Sequence, residues 1–259
     1  MLLSPNTCIN VFLVIFGFMP INKNVIANAD DMGLNSTVNT AILNCYLNGY
    51  INSTSLLTNM GGFPGAVDII KDNPIVQNVG IHINLAEGKP LVFDDPKFLD
   101  SHGNWNIAMT NRKLQVLSAA EKASFLQEMY AQTDKALANK ITLTHIDSHY
   151  HIHTLPCFYS LFLHTAKHYD LKIRLAQTYR EGSFIKYWFR RYINSVFIKS
   201  GFNYANRFET VEVFLKNKGT VQDQVEVMLH PDLDALGNLT DHVDPGTMAN
   251  WLAYMKRTN

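Results

Sequence analysis

At 259 residues, the chain is long enough to bury the core of one large α/β domain. Its 22 basic and 22 acidic residues balance, so the overall charge gives no sign of a nucleic-acid partner and makes a membrane partner unexpected. The three cysteines (Cys8, Cys45 and Cys157) are too few and too scattered for a disulfide framework or a cysteine-based zinc site, which favours a reducing compartment.

The N-terminus is the most apolar part of the chain. Residues 9–20 read INVFLVIFGFMP and resemble the apolar region of a secretory signal, but no Lys or Arg precedes them and no small-x-small cleavage pattern follows. The stretch is also shorter than the about 20 residues that cross a bilayer. We therefore treat residues 1–20 as an apolar leader of undecided status and residues 21–259 as a single domain. A cytoplasmic location is expected, and secretion or membrane association is the alternative if the leader is functional.

Strand and helix patterns alternate along the first half of this domain. In chain order they predict a strand at 25–27, a helix at 36–48, a strand at 55–58, a helix at 64–71 and a strand at 79–85. In the last strand the apolar side chains share one face, so His82 and Asn84 point to the other. Residues 86–117 carry Gly, Pro, Asp and Asn without a clear period and predict a long functional loop or lid.

The second half continues the alternation. It predicts a helix at 118–138, a strand at 141–147, a helix at 156–169, a strand at 171–176, an aromatic and basic helical insertion at 180–208, a strand at 225–229 and a helix at 247–256. We expect the insertion to pack against one end of the domain. Alternating strands and helices predict a mostly parallel sheet, in which ligands collect at the carboxyl ends of the strands.

Four histidines and one aspartate occupy every odd position of residues 145–153, which read HIDSHYHIH. In an extended chain these side chains would all project from one face. The ends of such a strand lie about 26 Å apart at roughly 3.3 Å per residue, whereas each ligand must come within about 2.1 Å of a zinc-sized ion. One or two of the five can therefore bind together, and the remaining ligands must come from elsewhere.

Acidic and imidazole side chains end or line four of the predicted strands. Asp30 and Asp31 end the first, His82 lies on the third, the histidine run ends a middle strand and His230 ends the last. If these strands are parallel, their ends meet on one rim and the side chains converge although they are distant in sequence. This pattern predicts a metal site formed by Asp31, His82 and a member of the run.

Four ordered motifs carry a resemblance to a known family. They are NADDMG at 28–33, VGIHINL at 79–85 followed by Glu87-Gly88, HIDSHYHIH at 145–153 and LHP at 229–231. From about residue 24 to the C-terminus the sequence resembles the YdjC-like carbohydrate deacetylases. The resemblance implies an irregular (β/α) TIM-like barrel that removes the acetyl group from N-acetylated sugars such as chitooligosaccharides or diacetylchitobiose. It also implies a divalent metal, often described as magnesium.

Matched motif by motif, the resemblance assigns Asp31, His82 and His149 as metal ligands and Asp30 as the general base. His230 is the candidate acid, because an imidazole exchanges protons near neutrality. Three departures stand out: Met32 where Phe is usual, Ala86 where Thr is common, and Asp232 where Gly usually follows the His-Pro pair. The last lies beside the candidate acid.

The remaining polar residues of the motifs are expected around the ligands or on the substrate. Asp147 and His145 are candidates for supporting a ligating imidazole, which usually donates its second N–H to a carboxylate or carbonyl. Asn84, His151 and His153 are candidates for the same surroundings or for substrate contact, although the last two can equally cap their loop. Two imidazoles suit zinc better than magnesium, so we expect one divalent ion, Mg²⁺ or Zn²⁺.

Three other interpretations remain open. Asp31, His82 and His149 also match the two-histidine, one-carboxylate triad of non-haem iron oxygenases, although such triads usually sit on all-β barrels. A metal-binding module without catalysis is the second. The third keeps the fold and changes the substrate to another acylated sugar or a lipid-linked glycan. The partner in the main interpretation is an N-acetylated oligosaccharide, and a homodimer is a further expectation.

Overall fold

Seven short parallel strands form one sheet in the computed structural model, which describes residues 21–217 and 223–258. The strands are β1 (Val25–Met32), β2 (Ser53–Leu56), β3 (Val79–Ile83), β4 (Leu143–Ser148), β5 (Lys172–Ile173), β6 (Arg207–Thr210) and β7 (Val225–Leu229). Their spatial order is β5-β4-β3-β2-β1-β7-β6. The leader predicted at residues 1–20 lies outside the described residues.

The sheet curls until its two edges meet. Beyond β5, the Thr178 N–H donates to the Phe208 carbonyl of β6, and the Tyr204 N–H donates to the Ile173 carbonyl. Helices surround the curled sheet: α1 (Ser36–Leu47), α2 (Phe63–Asp72), α3 (Ile107–Thr110), α4 (Ala119–Ala138), α5 (Tyr159–Tyr169), α6 (Phe184–Lys199), α7 (Val211–Lys216) and α8 (Pro245–Thr258). This architecture confirms the predicted irregular (β/α) barrel.

Local sequence signals explain where the larger helices begin and which face they bury. The Asn35 side chain caps α1 by accepting from the Val38 N–H, and Ser118 and Glu121 form the predicted capping box of α4. The apolar stripe of α1 faces the sheet, as do those of the other long helices. The hydrophobic core therefore lies between the sheet and its helices, while the barrel interior is left to polar side chains.

The long connection between β3 and α4 is tied down along its length. Phe93, Phe98 and Trp105 pack on Phe125 of α4. The buried Glu128 carboxylate accepts the backbone N–H groups of residues 91–93. The segment predicted as a loop or lid is therefore a loop anchored to α4.

The structure differs from the predicted elements in several places. The strand predicted at 171–176 is only two residues long, and the helix predicted from 156 begins at Tyr159. The strand predicted to end at 147 and run into a loop is confirmed, since β4 ends at Ser148 and a 3₁₀ segment, His149–Thr154, follows. A hairpin of β8 (Pro231–Leu233) and β9 (Leu239–Asp241), absent from the sequence prediction, follows β7.

The predicted insertion at 180–208 contains α6, which buries Ile193, Asn194 and Phe197 on one face. Among the described helices, none combines the length and the apolar character needed to cross a bilayer.

Candidate metal centre

A break in β1 turns two consecutive carboxylates toward the barrel mouth. Successive side chains of a regular strand alternate between faces, so Asp30 and Asp31 would point apart. The β1–β2 register shifts between Ala29 and Met32, and Asp31 has a φ of 69°, a left-handed conformation that Asp tolerates better than most residues. Both carboxylates thereby reach the same end of the barrel.

Three side chains from three strand ends meet around one carboxylate oxygen. The Oδ1 atom of Asp31 lies 3.2 Å from Nε2 of His82 and 2.7 Å from Nδ1 of His149. One donor atom from each residue lies within 4.8 Å of the others, a spacing that one metal ion can bridge. The structure thus brings together the three residues predicted as ligands.

The donor geometry fits a cation at this point. Asp31 Oδ1 is buried and, despite its two imidazole neighbours, has no hydrogen-bond partner among the described residues. A buried carboxylate oxygen without a partner is costly, and it calls for a ligand. One carboxylate and two imidazoles are also a common donor set for a catalytic divalent metal.

The ligands lie in a strongly polarised environment. Burial alone raises the pKa of Asp31, but the imidazoles of His149, His242 and His82 hold it well below its usual value. Burial lowers the pKa of His82, but the negative charge of Asp147 outweighs the effect of burial and raises the pKa to about 10. For His149, contact with Asp31 likewise outweighs burial and gives a pKa of about 9. The site is therefore built to hold positive charge next to Asp31.

Strand register fixes the orientation of the His82 ring. His82 and Asp147 are paired residues on the neighbouring strands β3 and β4, and His82 Nδ1 lies 2.7 Å from Asp147 Oδ1. This contact leaves Nε2 of His82 facing Asp31. It is the carboxylate-to-imidazole contact that supports metal-ligating histidines.

Arg174, which immediately follows β5, binds three carboxylates inside the barrel. Its side chain is fully buried and donates to both oxygens of Asp30 at 2.6 Å, while its Nη2 lies 2.7 Å from Asp147 Oδ2. Its Nε donates to Glu226 of β7 at 2.7 Å. The guanidinium therefore connects the candidate base with the carboxylate that orients His82.

A second group of possible ligands, Asp30, His82 and Asp147, lies within the same spacing limit. Arg174 already binds both of these carboxylates, and its charge would repel a cation placed between them. The group around Asp31 is the better candidate for the metal.

The hairpin after β7 brings two further imidazoles to the mouth. The backbone N–H of His230 donates to Asp241 Oδ2 at 2.8 Å, and the ring atom Nε2 of His230 lies 4.0 Å from Asp30 Oδ2. His242, directly after β9, places Nε2 at 3.1 Å from Asp31 Oδ2. Burial lowers the pKa of His242, but Asp31 outweighs it and the pKa is raised.

The other histidines of the run lie away from Asp31. His145 stacks on Tyr204 with ring centroids 4.0 Å apart, and burial lowers its pKa to about 4. His153 is buried against Ser148 Oγ at 2.7 Å. Burial lowers the pKa of His151 to about 3, and its ring lies 5.6 Å from that of Phe208. Because Tyr150 and His151 adopt left-handed conformations, the chain turns after His149.

Asn84 shapes the turn at the rim. Its Oδ1 accepts the N–H groups of Ala86 and Glu87, and its Nδ2 donates to the Glu87 carbonyl. Glu87 then accepts a 2.7 Å hydrogen bond from the Tyr150 hydroxyl and places Oε2 3.7 Å from His149 Nε2. Asn84 thus acts on the site through Glu87.

Sequence reasoning missed Arg174, Glu226 and His242. The first two carried a usable signal, because each is a charged residue within a largely apolar strand pattern: LKIRLA at 171–176, which also holds Lys172, and VEVML at 225–229. Two such residues of opposite charge suggest a buried pair. His242 carried no comparable signal, since its position depends on the unpredicted hairpin.

Comparisons with known proteins agree with this geometry. The family model described as YdjC-like protein matches residues 24–256. A carbohydrate deacetylase of Brevibacillus brevis is 31% identical over 211 residues, 80% of each chain. Another from Geobacillus stearothermophilus is 35% identical over 155 residues, 60% of each chain.

A solved structure shares the fold. It is an Enterococcus faecalis V583 protein provisionally assigned to cellobiose-phosphate cleavage, with a TM-score of 0.66 and 19% identity over 90% of this chain and 88% of that one. At this identity the likeness concerns the fold alone. The family match spans both candidate ligand strands, the histidine run and the His-Pro pair, and the chain belongs to the YdjC-like protein family.

Proposed function

We propose that the protein is a metal-dependent deacetylase of N-acetylated sugars, of the chitooligosaccharide type. The observation that carries the proposal is Oδ1 of Asp31, which is buried between the rings of His82 and His149 without a well-oriented hydrogen bond from either. The carbohydrate deacetylases among its relatives supply the substrate class. The (β/α) barrel also argues against the oxygenase interpretation, which favours an all-β scaffold.

Asp31, His82 and His149 would hold the cation. A divalent ion bound by three protein ligands supplies an acidified water and polarises the acetyl carbonyl. Two imidazoles and one carboxylate favour zinc or a similar transition metal over magnesium, although both remain candidates.

We assign to Asp30 the role of taking the proton from the attacking water. Burial raises its pKa, but the Arg174 guanidinium outweighs this effect and lowers the pKa, so the group is a carboxylate at neutral pH. Two hydrogen bonds from Arg174 fix its plane, while Oδ2 faces His230. A general base held in this way requires no reorientation before it accepts a proton.

We assign to His230 the role of returning a proton to the sugar nitrogen. An amide is a poor electrophile with a poor leaving group, so the departing amine must be protonated. His230 Nε2 lies 4.0 Å from Asp30 Oδ2, which supports assigning the acid and the base to one reacting centre. Each of these proton transfers typically contributes 10²- to 10⁴-fold to the rate.

Acetate release from a panel of N-acetylated oligosaccharides tests the proposal. The metal-free protein, the protein supplied with Zn²⁺ or Mg²⁺, and an Asp30→Asn variant are compared. We expect metal-dependent release that falls by about 10²- to 10⁴-fold in Asp30→Asn, with metal binding retained. The control is Asp134→Asn, a change at an exposed carboxylate of α4.

Two results would contradict the proposal. Unchanged acetate release in Asp30→Asn would show that Asp30 is not the general base. Oxygen consumption with iron, without acetate release, would establish the oxygenase instead.

A further inference from the structure

The outward face of α6 is apolar and aromatic although it faces solvent. Ile185 is 81% exposed, Phe184 65% and Trp188 51%, and Tyr192 continues the same face. The opposite side of the helix packs on the barrel through Ile193 and Phe197. A contiguous patch of this kind is rare on a surface that only meets water.

A second segment extends this patch. Leu114 and Val116 are 93% and 90% exposed, and Gln115 between them lies 3.5 Å from the sulfur of Cys157. Tyr159, two residues beyond Cys157, places its ring 6.3 Å from that of Tyr192. We call the combined surface of residues 114–116, 184–185, 188 and 192 the rim patch.

The rim patch lies on the side of the barrel that carries the metal centre. The loop containing Leu114 follows β3, α5 follows β4, and α6 follows β5, so each begins beyond the carboxyl end of a strand. The candidate ligands occupy the same end. Whatever the patch contacts therefore lies beside the mouth of the barrel.

Basic side chains accompany the patch in an otherwise neutral protein. Residues 180–199 contain five basic residues and one acidic residue. The acidic one, Glu181, pairs with Arg190 and Lys186. Arg191 is exposed and stands over the Trp188 ring at 5.6 Å. The rim patch thus combines aromatic, aliphatic and cationic groups.

The geometry points to an anionic lipid surface as the partner of the rim patch. Aromatic side chains and Lys or Arg are the groups that settle at the interface of a membrane. A second copy of the chain fits less well. A two-fold symmetric contact would bring the Arg191 side chains of the two copies, which carry the same charge, toward each other. Nucleic acid would leave Ile185 and Leu114 without an apolar partner. Docked in this way, the mouth of the barrel lies at the membrane surface.

Tryptophan fluorescence provides a direct test, because Trp188 is exposed while Trp105 and Trp251 are buried. The full protein is mixed with vesicles of phosphatidylcholine, with or without phosphatidylglycerol. We expect a blue shift and co-sedimentation only with the anionic vesicles. Arg191→Glu should weaken the partition about tenfold or more, at about 1 kcal/mol per charge near the surface.

Ile185→Ser and Leu114→Ser should also weaken binding, while Ile75→Ser, an exposed residue between α2 and β3, serves as the control. Three outcomes would overturn the inference: no partition, equal partition to neutral vesicles, or concentration-dependent dimers that Ile185→Ser dissociates. The inference is independent of the proposed reaction. Vesicle binding without acetate release from soluble sugars would count against the reaction alone.

Discussion

Arg174 organises the charges of the barrel interior. A buried arginine is tolerated only when carboxylates surround it, and here Asp30, Asp147 and Glu226 do so. The planar guanidinium reaches all three at once because its donors project in a fixed fork. The same group thereby sets the plane of the candidate base and, through Asp147, the ring of His82.

Arg174→Lys should lower both stability and activity. Lysine keeps the charge but cannot replace the paired hydrogen bonds to Asp30, so we expect a loss of about 3 to 5 kcal/mol in the free energy of unfolding. Urea unfolding measures that loss, and acetate release at saturating metal measures catalysis. Arg190→Lys, which changes a buried arginine paired with Glu181, is the matched control. A fully active Arg174→Lys variant would show that the fork is not required.

His242 contacts the second carboxylate oxygen of Asp31, the candidate ligand. Its Nε2 faces Asp31 Oδ2, so His242→Ala should leave the carboxylate free to rotate. We expect metal affinity, measured by competition with a chelator, to fall about 10- to 100-fold. Activity at saturating metal should be largely retained, and His102→Ala in the exposed loop should change neither quantity. Unaltered affinity in His242→Ala would contradict this positioning role.

At the scale of elements, periodicity predicted the sheet but missed the turns that complete the site. Alternating apolar residues located β1, β3, β4 and β7, and these strands bring the candidate ligands together. The register shift of β1 at Asp31 and the turn at Tyr150 and His151 require a left-handed backbone conformation at residues other than glycine. Such conformations have no reliable sequence signal, because tertiary contacts impose them. The predicted change from strand to loop after residue 147 is confirmed, whereas the path of that loop was not predicted.

Glu128 holds the loop between β3 and α4 in place. In Glu128→Gln an amide NH₂ group replaces one of the oxygens that accept backbone N–H groups. The NH₂ group is itself a donor, so it cannot accept hydrogen bonds from the N–H groups of residues 91–93. We expect a loss of about 1 to 3 kcal/mol in the free energy of unfolding and faster proteolysis within residues 94–116. The exposed Glu212→Gln should change neither by a measurable amount. Equal proteolysis rates would argue that aromatic packing alone anchors the loop.

At the scale of the whole molecule, the convergence of the candidate site could be predicted because parallel strands end on one rim. The network behind it could not, since pairing Arg174 with Glu226 requires β5 and β7 to face each other across the barrel. Strand order, rather than local pattern, fixes that relation. His242 likewise depends on where the hairpin folds. Sequence therefore predicted which candidate ligands converge better than it predicted the groups that contact them.

The stability of the fold should depend on the charge of Glu226. Burial, followed by repulsion from Asp147 and Asp30, outweighs Arg174 and raises its pKa to about 7 from an ordinary 4.5. The contribution of Glu226 to the free energy of unfolding is therefore fully present below pH 4.5. It is lost as the pH rises through about 7, because the unfolded chain releases this proton at a lower pH than the folded protein does. Relative to Glu226→Gln, the free energy of unfolding of the wild-type protein should fall by up to about 3 kcal/mol between pH 5 and pH 8, as measured by urea unfolding. Parallel pH curves for the two proteins would contradict the assignment.

Removal of the metal should lower the melting temperature as well as the activity. A cation that binds only the folded protein stabilises it by about 2.7 kcal/mol at one hundred times its dissociation constant. For a chain of this size that corresponds to about 5 to 10 °C. Asp31→Asn removes the charged ligand, so its melting temperature should not respond to chelator or added metal, whereas Asp134→Asn should respond as the wild type does. If Asp31→Asn kept the full metal response, the cation would be held elsewhere. The three strand ends would then converge for a reason other than binding it.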